Sequence, residues 1–126
     1  MKKSKIAIVE DDLAISNMYR IKFETEGFEV QLAKNGVQGL KMIESFSPDI
    51  VLLDVMMPEM NGDEMLTKLR KESWGADIPV IILTNLGQQE APEVLKDLNV
   101  NSYIVKAEMT PKQVSEFVKK KLDQLG

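Results

Sequence analysis

Four consecutive aliphatic residues, Ile50-Val51-Leu52-Leu53, end at an acid, Asp54, and the loop-forming stretch Val55-Met56-Met57-Pro58-Glu59-Met60-Asn61-Gly62 follows. A short, unbroken apolar run bounded by turn residues reads as a strand covered on both faces, the kind a parallel sheet requires. In such sheets ligand sites lie just beyond the carboxyl ends of the strands. Asp54 therefore stands at a functional edge. Pro58 and Gly62 keep the chain irregular until the next helix can start.

The same alternation runs from end to end. Strands are expected at residues 5–9, 28–33, 50–53, 80–84 and 102–105. Helices are expected at 12–26, from Asn35-Gly36, from near Gly62, at 88–97, and from Pro111. Ile15, Met18, Tyr19 and Phe23 make the inward stripe of the first helix, and Val37, Leu40 and Ile43 that of the second. Met65, Leu66 and Leu69 serve the third, and Ala91, Val94, Leu95 and Leu98 the fourth. The last helix starts most clearly, with Thr110 as cap, Pro111 at the first helical position and Gln113 three residues after the cap. Val114, Phe117, Val118 and Leu122 form its inward stripe.

Right-handed crossovers put helices on both faces of a parallel sheet. The expected fold is thus α/β, a doubly wound five-stranded sheet in the order 2-1-3-4-5 with five helices on two faces. Its crevice opens between the first and third strands. The first ends in Val9-Glu10-Asp11-Asp12 and the third in Asp54, so two acidic clusters meet there.

Composition narrows the chemistry. The 126 residues suit one domain, and no linker, repeat or low-complexity tract divides them. The chain has no cysteine and no histidine. Disulfides, thiolate or imidazole metal sites and Ser-His-Asp chemistry are excluded, and a reducing cytoplasm suits the chain. Any cation must be held by oxygen, which favours magnesium, manganese or calcium. The net charge of −4 argues against direct nucleic-acid binding. The one basic run, Lys119-Lys120-Lys121, reads as a solvated last helical turn complementing the helix dipole. No apolar run approaches the ~18 residues of a membrane span.

Glu10, Asp11 and Asp54 crowd one small site. Two unit charges about 5 Å apart repel by roughly 3 kcal/mol at an effective dielectric of about 20. Either a carboxyl stays protonated, or a cation binds, or a lysine reaches in, and the sequence offers the last two. Lys106 ends the fifth strand and Thr84 the fourth, both on the same edge. Taken singly, each residue has an ordinary use: acids at a helix start, a turn-capping aspartate, a strand-end hydroxyl, a solvated lysine. Together, a cation, a lysine and a hydroxyl around one carboxylate make a phosphoryl-binding site with Asp54 as the attacking oxygen.

The motifs Val9-Glu10-Asp11-Asp12, Asp54-x-x-Met57-Pro58-x-Met60-Asn61-Gly62, Leu83-Thr84 and Tyr103-x-x-Lys106 together resemble the receiver domains of two-component response regulators, of flavodoxin-like fold, over essentially the whole chain. The resemblance implies a signalling phospho-acceptor rather than an enzyme. It implies that Asp54 takes a phosphoryl group from a phosphohistidine of a sensor histidine kinase or phosphotransfer protein. It implies Mg2+ bound by side-chain oxygens of Asp11 and Asp54, by the Met56 backbone carbonyl, and through water by Glu10. Lys106 would contact phosphoryl oxygens, and Thr84 would move to hydrogen-bond them. Tyr103 would swing inward with Thr84. The shift would remodel the surface of the fourth helix, fifth strand and fifth helix, where a downstream protein or output domain docks.

Three positions depart from that pattern. Glu10 replaces a more frequent aspartate, Asn85 follows Thr84 in place of a small residue, and Ala107 follows Lys106 in place of proline. A cis bond before a non-proline residue costs about 2.5–4 kcal/mol, so the Lys106–Ala107 bond is expected trans, with the Ala107-Glu108-Met109 loop adjusted to aim Lys106 at Asp54. A phosphatase of similar topology would need an acid two residues after Asp54, where Met56 stands. A flavin or nucleotide carrier would need a Gly/Ser/Thr-rich phosphate loop where Glu10-Asp11-Asp12 stands. A receiver-like scaffold that no longer takes phosphate would not need the full acid, Thr84 and Lys106 set. As read, no output segment follows the last helix, which fits both a free-standing regulator and one domain of a longer protein.

Overall fold

The computed structural model describes residues 3–57 and 60–125. Pro58, to which the sequence assigns part of the loop geometry after Asp54, lies outside the described residues. Five strands form one parallel sheet: β1 (Lys5–Val9), β2 (Glu29–Ala33), β3 (Ile50–Leu53), β4 (Val80–Thr84) and β5 (Ser102–Val105). Their order is β2-β1-β3-β4-β5, as expected. The helices are α1 (Leu13–Thr25), α2 (Gly36–Phe46), α3 (Gly62–Lys71) and α4 (Pro111–Leu125).

Side chains alternate across each strand and feed two cores. Ala7, Val9, Val51, Leu53 and Ile82 meet Ile43 and Phe46 of α2 and Met65, Leu66 and Leu69 of α3. Ile6, Ile8, Ile50, Leu52 and Leu83 meet Tyr19 and Phe23 of α1 and Val114 and Val118 of α4. All four residues of β3 are buried, and each full burial contributes roughly 1.5–3 kcal/mol. The central strand is thereby firmly held, and Asp54 is its next residue.

Helix starts follow the cap chemistry. Asp12 accepts from the Ile15 N–H at 3.1 Å, and Asn35 from the Gln38 N–H at 2.9 Å. Thr110 and Gln113 form the reciprocal box: Gln113 N–H donates to Thr110 Oγ1 at 3.1 Å, and Thr110 N–H to Gln113 Oε1 at 2.8 Å. Acids at Asp63 and Glu64 and bases at Lys68, Arg70 and Lys71 complement the dipole of α3.

Two expectations need correction. In place of a continuous fourth helix at 88–97 there are two 3-10 segments, Gln88–Glu90 and Glu93–Asp97. Pro92 separates them. It has no N–H to continue an α-helix and disfavours helical geometry in the residue before it. The bonds are accordingly of i to i−3 type, from Glu90 N–H to Gly87 O, Leu95 N–H to Pro92 O and Leu98 N–H to Leu95 O. The tighter turn buries Leu95 and Leu98 but leaves Val94 39% exposed. The second correction concerns Met18 and Val37, assigned inward but each 42% exposed. Small residues are buried on these helices instead, Ser16 in α1 and Gly36 and Gly39 in α2; a Cβ at Gly39 would stand 3.1 Å from Val9 of β1, and one at Gly36 2.8 Å from the Met60 side chain.

The described residues contain no cis peptide bond, so Lys106–Ala107 is trans. A 3-10 turn, Lys106–Glu108, carries the chain from β5 toward α4.

Candidate functional site

The acids are placed by backbone pairing at the carboxyl edge of the sheet. Glu10 N–H donates to Ala33 O and Asp54 N–H to Val9 O, both at 3.0 Å, which extends the ladder one residue past β1 and β3. One carboxylate oxygen from each of Glu10, Asp11 and Asp54 lies within 4.8 Å of the others. Glu10 and Asp54 are buried, at 4% and 6% exposure, while Asp11 faces solvent.

Asp54 is bound on both oxygens. Thr84 Oγ1 donates to Oδ1 at 2.7 Å, and the Met56 N–H donates to the same oxygen at 2.9 Å. Lys106 Nζ donates to Oδ2 at 3.1 Å. Lys106 also pairs with Glu10 Oε1, and Glu10 Oε2 accepts from the Asp12 N–H at 3.0 Å. The trans Lys106–Ala107 bond thus leaves the ammonium aimed at the carboxylates. Met56 contributes its backbone here, and its side chain is 55% exposed.

The loop after β3 closes on Gly62, whose N–H donates to Val55 O at 3.2 Å. A Cβ at Gly62 would stand 2.3 Å from the Asp54 carbonyl oxygen and 2.6 Å from Val55 Cα. Glycine is required there because the start of α3 touches the backbone of Asp54 itself.

Electrostatics follow from burial. Desolvation pushes the Glu10 carboxyl up from 4.5 to about 7, against the hydrogen bonds from Lys106 and the Asp12 N–H and with added repulsion from Asp54. Burial also works against the charge of Lys106. Its hydrogen bond to Glu10 and the charges of Asp54 and Glu10 outweigh that, and hold the ammonium above its usual 10.5. Both shifts favour holding protons, as three carboxylates facing one ammonium must. Hard oxygen donors in negative excess also fit a magnesium ion, which commonly takes one or two carboxylates and keeps its remaining waters.

Tyr103 lies beside the site, not in it. Its hydroxyl donates to Leu86 O at 2.8 Å, and the Leu86 N–H reaches Thr84 Oγ1 at 3.4 Å. A bonded path therefore runs from Asp54 through Thr84 and Leu86 to Tyr103. Leu86 escaped the sequence reading because it acts through its main chain alone. Tyr19, read only as packing, lies close enough to feel the charges of Lys106 and Glu10. A tyrosine on an otherwise apolar helix stripe was the one available signal. The basic run is largely absorbed: Lys119 pairs with Glu26 at 2.8 Å, and Lys121 lies over the Phe117 ring at 5.6 Å.

Comparison with known proteins agrees with this arrangement. A family model described as the response regulator receiver domain matches residues 6–119. The chain is 36% identical over 102 residues to the DNA-binding dual master transcriptional regulator RpaA of Synechocystis sp., a match covering 81% of this chain and 42% of that protein. It spans less than half the length of the curated relatives it matches first, 42% and 47% of two of them. Among solved structures, a response regulator receiver domain protein (CheY-like) from Methanospirillum hungatei JF-1 aligns with a TM-score of 0.88 at 31% identity, covering 98% of this chain and 96% of that one. The phosphorylated cyanobacterial phytochrome response regulator RcpA aligns with a TM-score of 0.78 at 26% identity, covering 94% and 91%. With the sheet order, the acid-lined crevice and a family match across nearly its whole length, the chain belongs to the receiver domains of two-component response regulators.

Proposed function

We propose that Asp54 is the phospho-acceptor of this receiver domain. The observation that carries the reading is the convergence on Asp54 of Thr84 at 2.7 Å and Lys106 at 3.1 Å, beside the Glu10-Asp11-Asp54 cluster. One Asp54 oxygen attacks the donor phosphorus. The phosphorus–nitrogen bond of a phosphohistidine breaks, and the leaving imidazole nitrogen keeps the electron pair. The donor histidine belongs to a sensor kinase or phosphotransfer protein, since this chain has none. Lys106 binds a phosphoryl oxygen and Thr84 donates its proton to another. Asp11 and Asp54 side chains and the Met56 carbonyl would hold Mg2+, with Glu10 acting through water; the ion supplies positive charge against the phosphoryl oxygens.

In this reading the chain is a signalling acceptor, not an enzyme acting on other substrates. Thr84 follows the phosphoryl group, Leu86 moves with it, and Tyr103 transmits the change. The surface that responds comprises the segment Glu93–Asp97, β5 and α4, to which a downstream protein or output domain binds. RpaA is described as DNA-binding, and the match covers 42% of it. The −4 charge of this chain supports no direct nucleic-acid contact of its own. The reading carries a cytoplasmic location, which the lack of cysteine suits; no helix among the described residues is long and apolar enough to cross a membrane.

The test is intact mass after incubation with acetyl phosphate and magnesium. Wild type gains one phosphoryl group and Asp54→Ala none. Equal labelling of both removes Asp54 from the role.

A further inference from the structure

Two asparagines are followed by glycine, in Asn35-Gly36 and Asn61-Gly62, whereas Asn17, Asn85, Asn99 and Asn101 precede larger residues. Without a Cβ in the way, the backbone nitrogen of a glycine can approach the preceding asparagine's side-chain carbonyl carbon. The fold treats the two pairs differently. Asn35 is half-buried, and its Oδ1 accepts from the Gln38 N–H at 2.9 Å. Gly36 is buried, and a Cβ there would stand 2.8 Å from the Met60 side chain. Asn61 is exposed, and its side chain makes no capping bond. The Gly62 N–H donates to Val55 O at 3.2 Å, the long end of the hydrogen-bond range.

We propose that Asn61 is a modification site: it deamidates spontaneously through a ring closed with Gly62, and the isoaspartyl product disables the acceptor site. The position follows from the geometry; the consequence rests on the phospho-acceptor reading above. The Gly62 nitrogen gives its proton to hydroxide, lets go of Val55 O and attacks Asn61 Cγ. The bond from Cγ to the amide nitrogen breaks, and ammonia leaves with that electron pair and a solvent proton. Water then opens the ring at one of its two carbonyl carbons, and the Gly62 nitrogen regains a proton. Opening at Cγ gives aspartate on the original backbone. Opening at the main-chain carbonyl gives isoaspartate, whose backbone runs through the former side chain and is one methylene longer.

That methylene enters where there is no slack. A Cβ at Gly62 would already stand 2.3 Å from the Asp54 carbonyl oxygen. The Asn61 carbonyl, which accepts from the Met65 N–H at 2.9 Å in the first turn of α3, becomes part of a carboxylate off the main chain. The start of α3 therefore shifts against the backbone of Asp54. The aspartate product carries the same new charge without the lengthening.

The test ages folded protein in mildly alkaline buffer below its thermal midpoint. Peptide mapping locates isoaspartate, and intact mass follows labelling by acetyl phosphate and magnesium. Isoaspartate at position 61 should lead that at 35 by at least about 5-fold, the Boltzmann factor of one N-cap bond. In urea the two pairs should react alike. The isoaspartyl fraction should label more slowly by on the order of 100-fold, as for a reacting group displaced by about 1 Å, and should bind magnesium more weakly. Asn61→Asp should label faster than that fraction. Asn61→Ser has no amide to close the ring, and its labelling rate should not fall with age. An Asn61 that stays intact, or an Asn35 that reacts as fast in the folded protein, overturns the site. Isoaspartate at 61 with undiminished labelling overturns the consequence. Fresh wild type that takes no label would sink the phospho-acceptor reading alone, leaving the peptide map and the magnesium affinity of the aged protein to judge Asn61.

Discussion

Gly62→Ala tests whether the backbone of Asp54 and the start of α3 are one mechanical unit. The added methyl would meet the Asp54 carbonyl oxygen at 2.3 Å, Val55 Cα at 2.6 Å and the Asp54 carbonyl carbon at 2.9 Å. All three are backbone atoms with no rotamer to escape into. Ordinary contact begins near 3.4 Å, so the first turn of α3 and the Asp54–Val55 peptide must separate by about 1 Å. Overpacking of this kind costs about 1–3 kcal/mol. For a domain of this size that lowers the thermal midpoint by roughly 3–15 °C. The functional loss should be larger, because a 1 Å misplacement of a reacting group costs on the order of 100-fold in rate. Gly75→Ala is the control: its Cβ would meet Leu69 Cδ1 and the Leu69 carbonyl oxygen at 2.5 Å, away from the acids. The expected result is that both variants melt earlier in differential scanning fluorimetry. Only Gly62→Ala should label slowly with acetyl phosphate and magnesium, measured by intact mass over time. A Gly62→Ala protein with unchanged midpoint and labelling rate, or equal slowing in both variants, would refute the reasoning.

Other perturbations follow from the same geometry. Glu10 titrates near 4.5 when unfolded and near 7 when folded, so between these values the native state holds a proton the unfolded chain has lost. Metal-free stability should therefore fall as pH rises through that window, by roughly 3 kcal/mol, and urea unfolding at pH 5 and pH 7.5 should show the slope flatten in Glu10→Gln. Lys106→Ala removes the one ammonium among three carboxylates; magnesium should bind at least as tightly by calorimetric titration while labelling of Asp54 slows. Arg70 donates to the carbonyls of Gly75, Ala76, Ile78, Leu98 and Asn99, tying the end of α3 to the approaches of β4 and β5. Arg70→Lys keeps the charge but loses the planar fork, and should cost about 2–3 kcal/mol in chemical denaturation.

Strand positions were legible because burial on both faces leaves no choice of residue: Ile50 to Leu53 and Val80 to Leu83 admit nothing polar. The acids, Thr84 and Lys106 were legible for the opposite reason, since polar residues at the ends of such strands have no packing role to explain them. Helix faces were less so. Met18 and Val37 are hydrophobic at helical spacing, yet the buried positions include Ser16, Gly36 and Gly39, which a reading that ranks residues by hydrophobicity passes over. The segment at 88–97 shows the same weakness. Its leucines have helical spacing, but Pro92 decides the hydrogen bonding, and two 3-10 pieces result. Arg70 gave no signal in the sequence, because nothing along the chain reveals that the carbonyls of Gly75, Ala76, Ile78, Leu98 and Asn99 converge on it.

That irregular segment bears on how a change at Asp54 would travel. Thr84 has one hydroxyl proton, and it is given to Asp54 Oδ1. On the proposed reading, a phosphoryl group on Asp54 would add stronger anionic acceptors farther out, so the proton would be redirected and the Thr84 oxygen would move with it. The Leu86 N–H, 3.4 Å from that oxygen, is only loosely held and can follow, whereas the Leu86 carbonyl is tied to Tyr103 at 2.8 Å. A pull on one side of Leu86 is thus felt by Tyr103 on the other. Beyond Leu86 the chain enters 3-10 turns, whose hydrogen bonds have poorer geometry than those of an α-helix. A continuous α-helix there would resist the displacement with its full i to i−4 ladder. Two short pieces hinged at Pro92 can re-form their few bonds in a new register. On the proposed reading, the residue that breaks the expected helix is also the one that would leave this edge of the domain able to respond.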